Sequence, residues 1–135
     1  MINISLQAIR EIQGYLSSSS AVTGLVPKNS IKVGWPRTMD SFPCIIITQV
    51  AGSDTGYLGY NTAIAGSKLR REEPVIGIDI YSRDSMRDVL SIGDKIIPVL
   101  ISGACRKDSD YDDYIDEVGA YRRLLTFSFN KLRED

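Results

Sequence analysis

The chain has 135 residues and a mass of 15.0 kDa, which predicts a single domain over residues 1–135. It contains no histidine, which excludes Ser-His-Asp triads, Cys-His dyads and histidine-ligated metals, and its two cysteines are too few for a four-cysteine zinc site or a cysteine-ligated cluster. Sixteen basic against seventeen acidic side chains give a net charge of -1, without the basic excess of a dedicated nucleic-acid binder.

Residues 3–18 predict an amphipathic helix: Asn3 or Ser5 can cap its start, and Ile9, Ile12 and Leu16 fall at helical spacing. The serine run at 17–20 ends it, because serine side chains compete for backbone hydrogen bonds. Residues 21–30, with Gly24 and Pro27, read as a connector. Ile31, Val33 and Trp35 alternate with Lys32 and Gly34 in a short half-buried strand stopped by Pro36. Residues 43–50 are apolar and β-branched, the pattern of a central strand buried on both faces. Residues 51–72, with Gly52, Gly56, Gly59 and Gly66, read as a long loop.

A strand resumes at 73–82, with Pro74 at its start and Ile76, Ile78 and Ile80 on the core face. Residues 84–102 predict a second helix with Met86, Val89, Leu90, Gly93, Ile96, Ile97 and Leu100 as its apolar stripe, Asp84 and Asp88 favouring its start, and Pro98 kinking it or ending it early. Residues 103–110 read as a turn, 111–118 as a polar strand broken by Gly119, and 120–130 as a strand with clear alternation. The expected fold is α+β: a mostly antiparallel four- to five-stranded sheet with two helices packed on one face. Cys44 and Cys105 adjoin apolar runs and read as buried free thiols. No apolar run approaches the ~18 residues of a spanning helix. The N-terminus lacks the features of a signal peptide, so a cytoplasmic location is expected.

Asp108, Asp110 and Asp112 match the opening of a calcium loop, but Asp113 and Gly119 stand where such a loop needs glycine and glutamate. The segment reads as a solvated acidic hairpin, with a loose divalent-ion site as the alternative. Asp112, Asp113, Asp116 and Glu117 offer carboxylate pairs without the desolvated pocket that acid–base catalysis needs. Lys68, Arg70 and Arg71 form a basic cluster, while Arg122 and Arg123 point to opposite faces of one strand. These bases are either solvated charges or ion-pair partners for an acidic surface on a neighbouring subunit, with Asp108, Asp110, Asp112 and Asp113 as that surface. Tyr57, Leu58 and Tyr60 in the glycine-rich segment read as interface anchors. Trp35-Pro36 and Phe42-Pro43 read as strand ends pinned by proline. No nucleotide-binding motif is present, and neither catalysis nor a cofactor or metal is expected.

Taken together, the N-terminal helix, Ile31-Lys-Val-Gly-Trp35, Phe42-Pro-Cys-Ile-Ile-Ile47, Gly77-Ile-Asp-Ile-Tyr-Ser82 and the closing Ala120-Tyr-Arg-Arg-Leu-Leu-Thr-Phe-Ser-Phe129 resemble the tail-terminator and tail-completion proteins of long-tailed bacteriophages and prophages. The resemblance spans nearly the whole chain and implies a non-enzymatic structural protein of the virion tail, assembled in the host cytoplasm. It implies a homo-oligomeric ring, commonly a hexamer, that caps the tail tube, ends its growth and presents a face to the head connector. DNA then passes through the lumen without specific binding. The family plan lets the segment 51–72 reach a neighbour or line the lumen. A head-completion or neck protein and a small non-enzymatic binding module are the alternatives.

Overall fold

Helix α1 (Ile4–Ser18) buries Ala8, Ile9, Ile12 and Leu16, four residues at helical spacing on one face. The computed structural model describes residues 4–35, 41–57, 69–103, 105–129 and 131–134. The serine run breaks α1 as its sequence predicts: Ser19 is extended, and a second short helix, α2 (Ser20–Thr23), starts beyond it. The sequence reads that stretch as a connector because four residues are too few to hold a helix alone. Burial of Val22 and Val26 against the core supplies the missing stability. A 3-10 turn (Lys28–Ser30) leads into strand β1 (Ile31–Val33). Only Ile31 of the expected apolar face is buried; Val33 and Trp35 are exposed, because they lie at the sheet's margin.

Strands β2 (Cys44–Tyr57) and β3 (Leu69–Ser82) form a long antiparallel ladder. Both continue into the segment read as a loop, with Asp54 opposite Glu72 and Tyr57 opposite Arg70. Gly, Ser, Asp and Glu are weak strand formers, so composition hides this extension, which cross-strand pairing and two register shifts in β2–β3 accommodate. Residues 58–68, the remainder of the expected loop, lie outside the described residues. Pro74 lies inside β3 rather than at its start. It falls between the residues that pair with β6 (Lys131–Glu134) and those that pair with β5 (Ala120–Phe129), where a missing N–H costs the ladder least.

Helix α3 (Met86–Ser102) is capped by Ser85, whose hydroxyl accepts from the Asp88 amide at 3.2 Å. It buries Val89, Ile92, Gly93, Ile96 and Leu100, whereas Leu90 of the expected stripe is exposed. The helix does not end at Pro98: that residue is exposed, and buried Ile96 and Leu100 pin the helix on either side of it. Strand β4 (Cys105–Ile115) begins where a turn is expected, and a turn over 116–119 with Gly119 at φ 68° leads into β5.

The path of the sheet runs β1-β2-β3-β5-β4, with β6 joined to the outer part of β3; among the described residues only the β1–β2 pairing is parallel. The registers align Val33, Ile47, Ile78, Leu125 and Asp110 in one row across the sheet. This row faces the helices, and its inner members Ile47, Ile78 and Leu125 belong to the main core together with Ile12, Leu16, Ile96 and Phe127. The next row, Lys32, Ile46, Asp79, Leu124 and Tyr111, lies on the opposite face. That face carries a small second cluster of Cys44, Ile46, Tyr81 and Ala120, flanked by Phe42, Ile115 and Val118. Among the described residues no helix is long and apolar enough to cross a membrane.

Ile78 sits at the centre of the helix-side row and is fully buried. Ile78→Ala is expected to lower stability by about 2–5 kcal/mol in urea unfolding. Ile78→Asp is expected to abolish the native circular dichroism spectrum, and a folded Ile78→Asp variant would show that the core face is wrongly assigned.

Candidate assembly surface

The acidic residues of β4 and the two arginines of β5 face each other across one antiparallel pair. Strand alternation sends Arg123 toward the helices and Arg122 to the open face, as the sequence predicts. Arg123 is 6% exposed and its guanidinium is held by three residues on two other elements, β4 and α3. Nε and Nη2 donate to the two carboxylate oxygens of Asp110 at 2.9 and 2.6 Å, and Nη1 donates to the Leu90 carbonyl at 2.7 Å and to Asp94 at 3.0 Å. The hydrogen bonds to Asp110, against the cost of burial, raise the Arg123 pKa above its usual value, and the same bonds lower that of Asp110. Gly93 makes room for this group: a Cβ there would stand 2.5 Å from Nη1 and 2.9 Å from Cδ and Cζ of Arg123.

On the open face Arg122 grips Asp113 bidentately, both bonds at 3.0 Å, and its Nη1 lies 3.8 Å from Asp79 Oδ1. Burial opposes its charge, but the bond to Asp113 and the charge of Asp79 prevail and raise its pKa. Asp79 is 3% exposed, and its Oδ1 has no hydrogen-bond partner among the described residues. Burial pushes its carboxyl up to about 6, with the Arg122 charge pulling it down and Asp113 pushing it further up. Tyr81 is pushed up to about 12, first by burial and then by the Asp79 charge. Trp35 packs edge-on against Tyr81 at 6.2 Å while remaining 56% exposed, and Arg83 lies over the Phe42 ring at 4.2 Å. Cys44 and Cys105 are buried free thiols, each pushed up to about 11 chiefly by burial.

The acidic segment is the outer strand of the β4–β5 hairpin, as expected, but three of its four aspartates at 108, 110, 112 and 113 are bound within the chain rather than simply solvated. Asp108 is bound by Arg106 and by the Ser128 hydroxyl, Asp110 by Arg123 and Lys107, and Asp113 by Arg122, all within the chain. Asp112 alone of the four has no ionic partner among the described residues. No three metal-ligating side chains gather among the described residues. Of the basic and aromatic residues singled out by sequence, Tyr57 ends β2 opposite Arg70, and Arg70 and Arg71 pair with Arg133 and Leu132 of β6. Leu58, Tyr60 and Lys68 lie outside the described residues. The Arg70–Arg71 ladder and the Asp112–Asp113 segment stand toward opposite ends of the sheet, because Asp113 pairs with Arg122 and Arg122 with Tyr81.

Sequence reasoning missed Asp79 and the role of Gly93. The signal for Asp79 is a lone charge between Ile78 and Ile80 in a strand buried on both faces, which demands a cation on the neighbouring strand.

No family model and no curated protein matches the sequence. Among solved structures, the chain superposes on a chain of the "Virion of native gene transfer agent (GTA) particle" with a TM-score of 0.65 at 10% identity, covering 93% of this chain and 92% of that one. What the two share is the fold. The likeness extends over nearly the full length of both chains rather than a local motif.

Gly93→Ala gains about 1 kcal/mol of helix propensity but collides with a guanidinium fixed by three partners. A net loss of about 1–3 kcal/mol is expected in thermal unfolding. An unchanged or raised melting temperature would show that Arg123 is free to move aside.

Asp79 holds its proton more tightly folded than unfolded. Its contribution to stability is therefore full below the ordinary carboxylate range near pH 4 and is lost as pH rises through about 6. Asp79→Asn is expected to stabilise the chain by about 1–3 kcal/mol at pH 8 and to leave it nearly unchanged at pH 4. Equal effects at the two pH values would refute the raised carboxyl.

Proposed function

We propose that this chain is a structural, non-enzymatic subunit of a phage-like tail, which forms a hexameric ring, caps the tail tube, ends its elongation and presents a joining surface to the head connector. The observation that carries this reading is the near-complete fold correspondence with a chain of a gene transfer agent virion, 93% of one against 92% of the other. The sequence resemblance to tail-terminator and tail-completion proteins supplies the specific role. A small α+β subunit built around a sheet, with the main core under the helices on one face and a smaller apolar cluster beside charged side chains on the other, suits a part that works by contact rather than by chemistry. The ladder of β2, β3 and β6 runs past the ends of β1 and β5, and in the ring this arm carries contacts to the tube or to a neighbour through Tyr57, Arg70 and Arg71, with Leu58, Tyr60 and Lys68, outside the described residues, proposed from the sequence for the same contact. DNA crosses the lumen without sequence-specific contacts, in keeping with the net charge of -1.

Purified chain mixed with isolated tail tubes is expected to appear only at tube ends by electron microscopy and to block further addition of tube subunits. Binding to the portal side of heads instead of tubes would assign it to the neck, and binding to neither would refute the virion role. The double variant Arg70→Glu/Arg71→Glu is expected to keep its circular dichroism spectrum and to lose tube-end binding about tenfold or more, as like-charge contacts at an interface do. Unchanged binding would remove the arm from the contact.

A further inference from the structure

We infer that the β4 edge of one copy docks against the β1 edge of the next, so that the two outer strands of the sheet form the head-to-tail contact between subunits. The inference rests on the ring reading above and adds which surfaces meet. A head-to-tail ring needs two different surfaces on opposite sides of the subunit. The sheet offers them: β1 and β4 are the outer strands of its path, separated by β2, β3 and β5.

Both edges carry apolar side chains that the fold leaves uncovered. Trp35 and Val33 are exposed at the β1 side, and Tyr111 and Tyr114 at the β4 side. Their charges are opposite. Asp112 in β4 and Asp116 and Glu117 in the following turn are exposed and have no ionic partner among the described residues. Exposed Lys28 and half-buried Lys32, before and within β1, have none either. The register shift in β4 lies between Lys107 and Ser109, so the stretch from Ser109 to Ile115 presents a regular edge with no further strand on it among the described residues. Edge strands of this length are templates for another chain unless blocked.

The arm is a poorer match for the acidic edge than β1 is. Arg70 and Arg71 lie beyond the end of β5, toward the opposite end of the sheet from Asp112. A lateral contact between level subunits brings edge to edge, whereas the arm projects along the strands.

Two charge-reversed variants test the pairing: Lys28→Glu/Lys32→Glu at one edge and Asp112→Lys/Asp116→Lys at the other. All four residues have solvent-accessible side chains, so both variants are expected to keep the wild-type circular dichroism spectrum. Each variant alone is expected to self-associate about tenfold or more weakly than wild type in light scattering, because like charges then meet at the contact. An equimolar mixture is expected to restore assembly, since each reversed edge then faces its complement. Wild-type assembly by either variant alone, or no recovery on mixing, would overturn the pairing.

A zero-length carbodiimide cross-linker applied to assembled wild-type chain gives a readout that needs no variant. Lys28 or Lys32 is expected to join Asp112, Asp116 or Glu117, and such links can form only between copies, because the two edges of one sheet stand about 19 Å apart. Links found only within one copy, with none between Lys28 or Lys32 and the acidic edge of another, would overturn the pairing. A wild-type chain that stays monomeric at millimolar concentration would overturn it as well, while tube-end binding would still stand or fall by its own experiment.

Discussion

The buried guanidinium of Arg123 ties the outer edge of the sheet to the helix layer. It reaches from β5 to Asp110 on β4 and to Leu90 and Asp94 on α3, so one side chain fixes the spacing of three elements. Such a group is costly to bury and costly to disturb: removing one partner from a buried ion pair typically destabilises by about 3–5 kcal/mol. The constraint spreads outward. Gly93 must lack a side chain, α3 must lie at the distance that the guanidinium spans, and β4 can be almost wholly polar because Arg123 and Arg122 anchor it from both faces. An edge strand with so little apolar surface would otherwise have only its ladder to hold it.

The two faces of the sheet do different work. The helix side is an aliphatic core in which Ile47, Ile78 and Leu125 follow one another across three strands. The open side places Asp79 beside Arg122 and Tyr81, with one carboxylate oxygen close to the guanidinium but lacking a hydrogen-bond partner among the described residues. That arrangement spends stability at neutral pH, unlike a hydrophobic pairing at the same positions. It also keeps the open side from being uniformly apolar, and a uniformly apolar sheet face invites indiscriminate association. A subunit proposed to meet several different partners has reason to hold its specificity in charged positions.

Much of this fold is legible in the sequence wherever period and burial agree. The alternation of Ile76, Ile78 and Ile80, the opposite facing of Arg122 and Arg123, the serine break after α1 and the turn at Gly119 all follow from local rules. The failures share a cause: pairing partners that only the folded sheet supplies. The outer parts of β2 and β3 are rich in poor strand formers and become strands because each has the other beside it and β3 has β6 as well. The start of β4 is hidden in the same way, with Asp108 and Ser109 satisfied by Ser128 and Thr126 across the ladder. The early helix end allowed for at Pro98 fails in the opposite sense, since tertiary packing carries the helix on to Ser102. In the acidic segment the sequence shows the charges but not their assignment: Asp110 and Asp113 are taken up by Arg123 and Arg122 of β5, and Asp108 by Arg106 and Ser128.

The two cysteines lie on opposite sides of the sheet, Cys105 in the helix-side core and Cys44 in the small cluster of the open face, both shielded and both protonated at neutral pH. Thiol reagents react through the thiolate, so the native chain is nearly silent to maleimides and spin labels. A single cysteine introduced on the surface would thus be the only reactive handle on the subunit. That gives the chain a ready-made background for fluorescence and distance measurements inside an assembled particle, without first stripping out its own thiols.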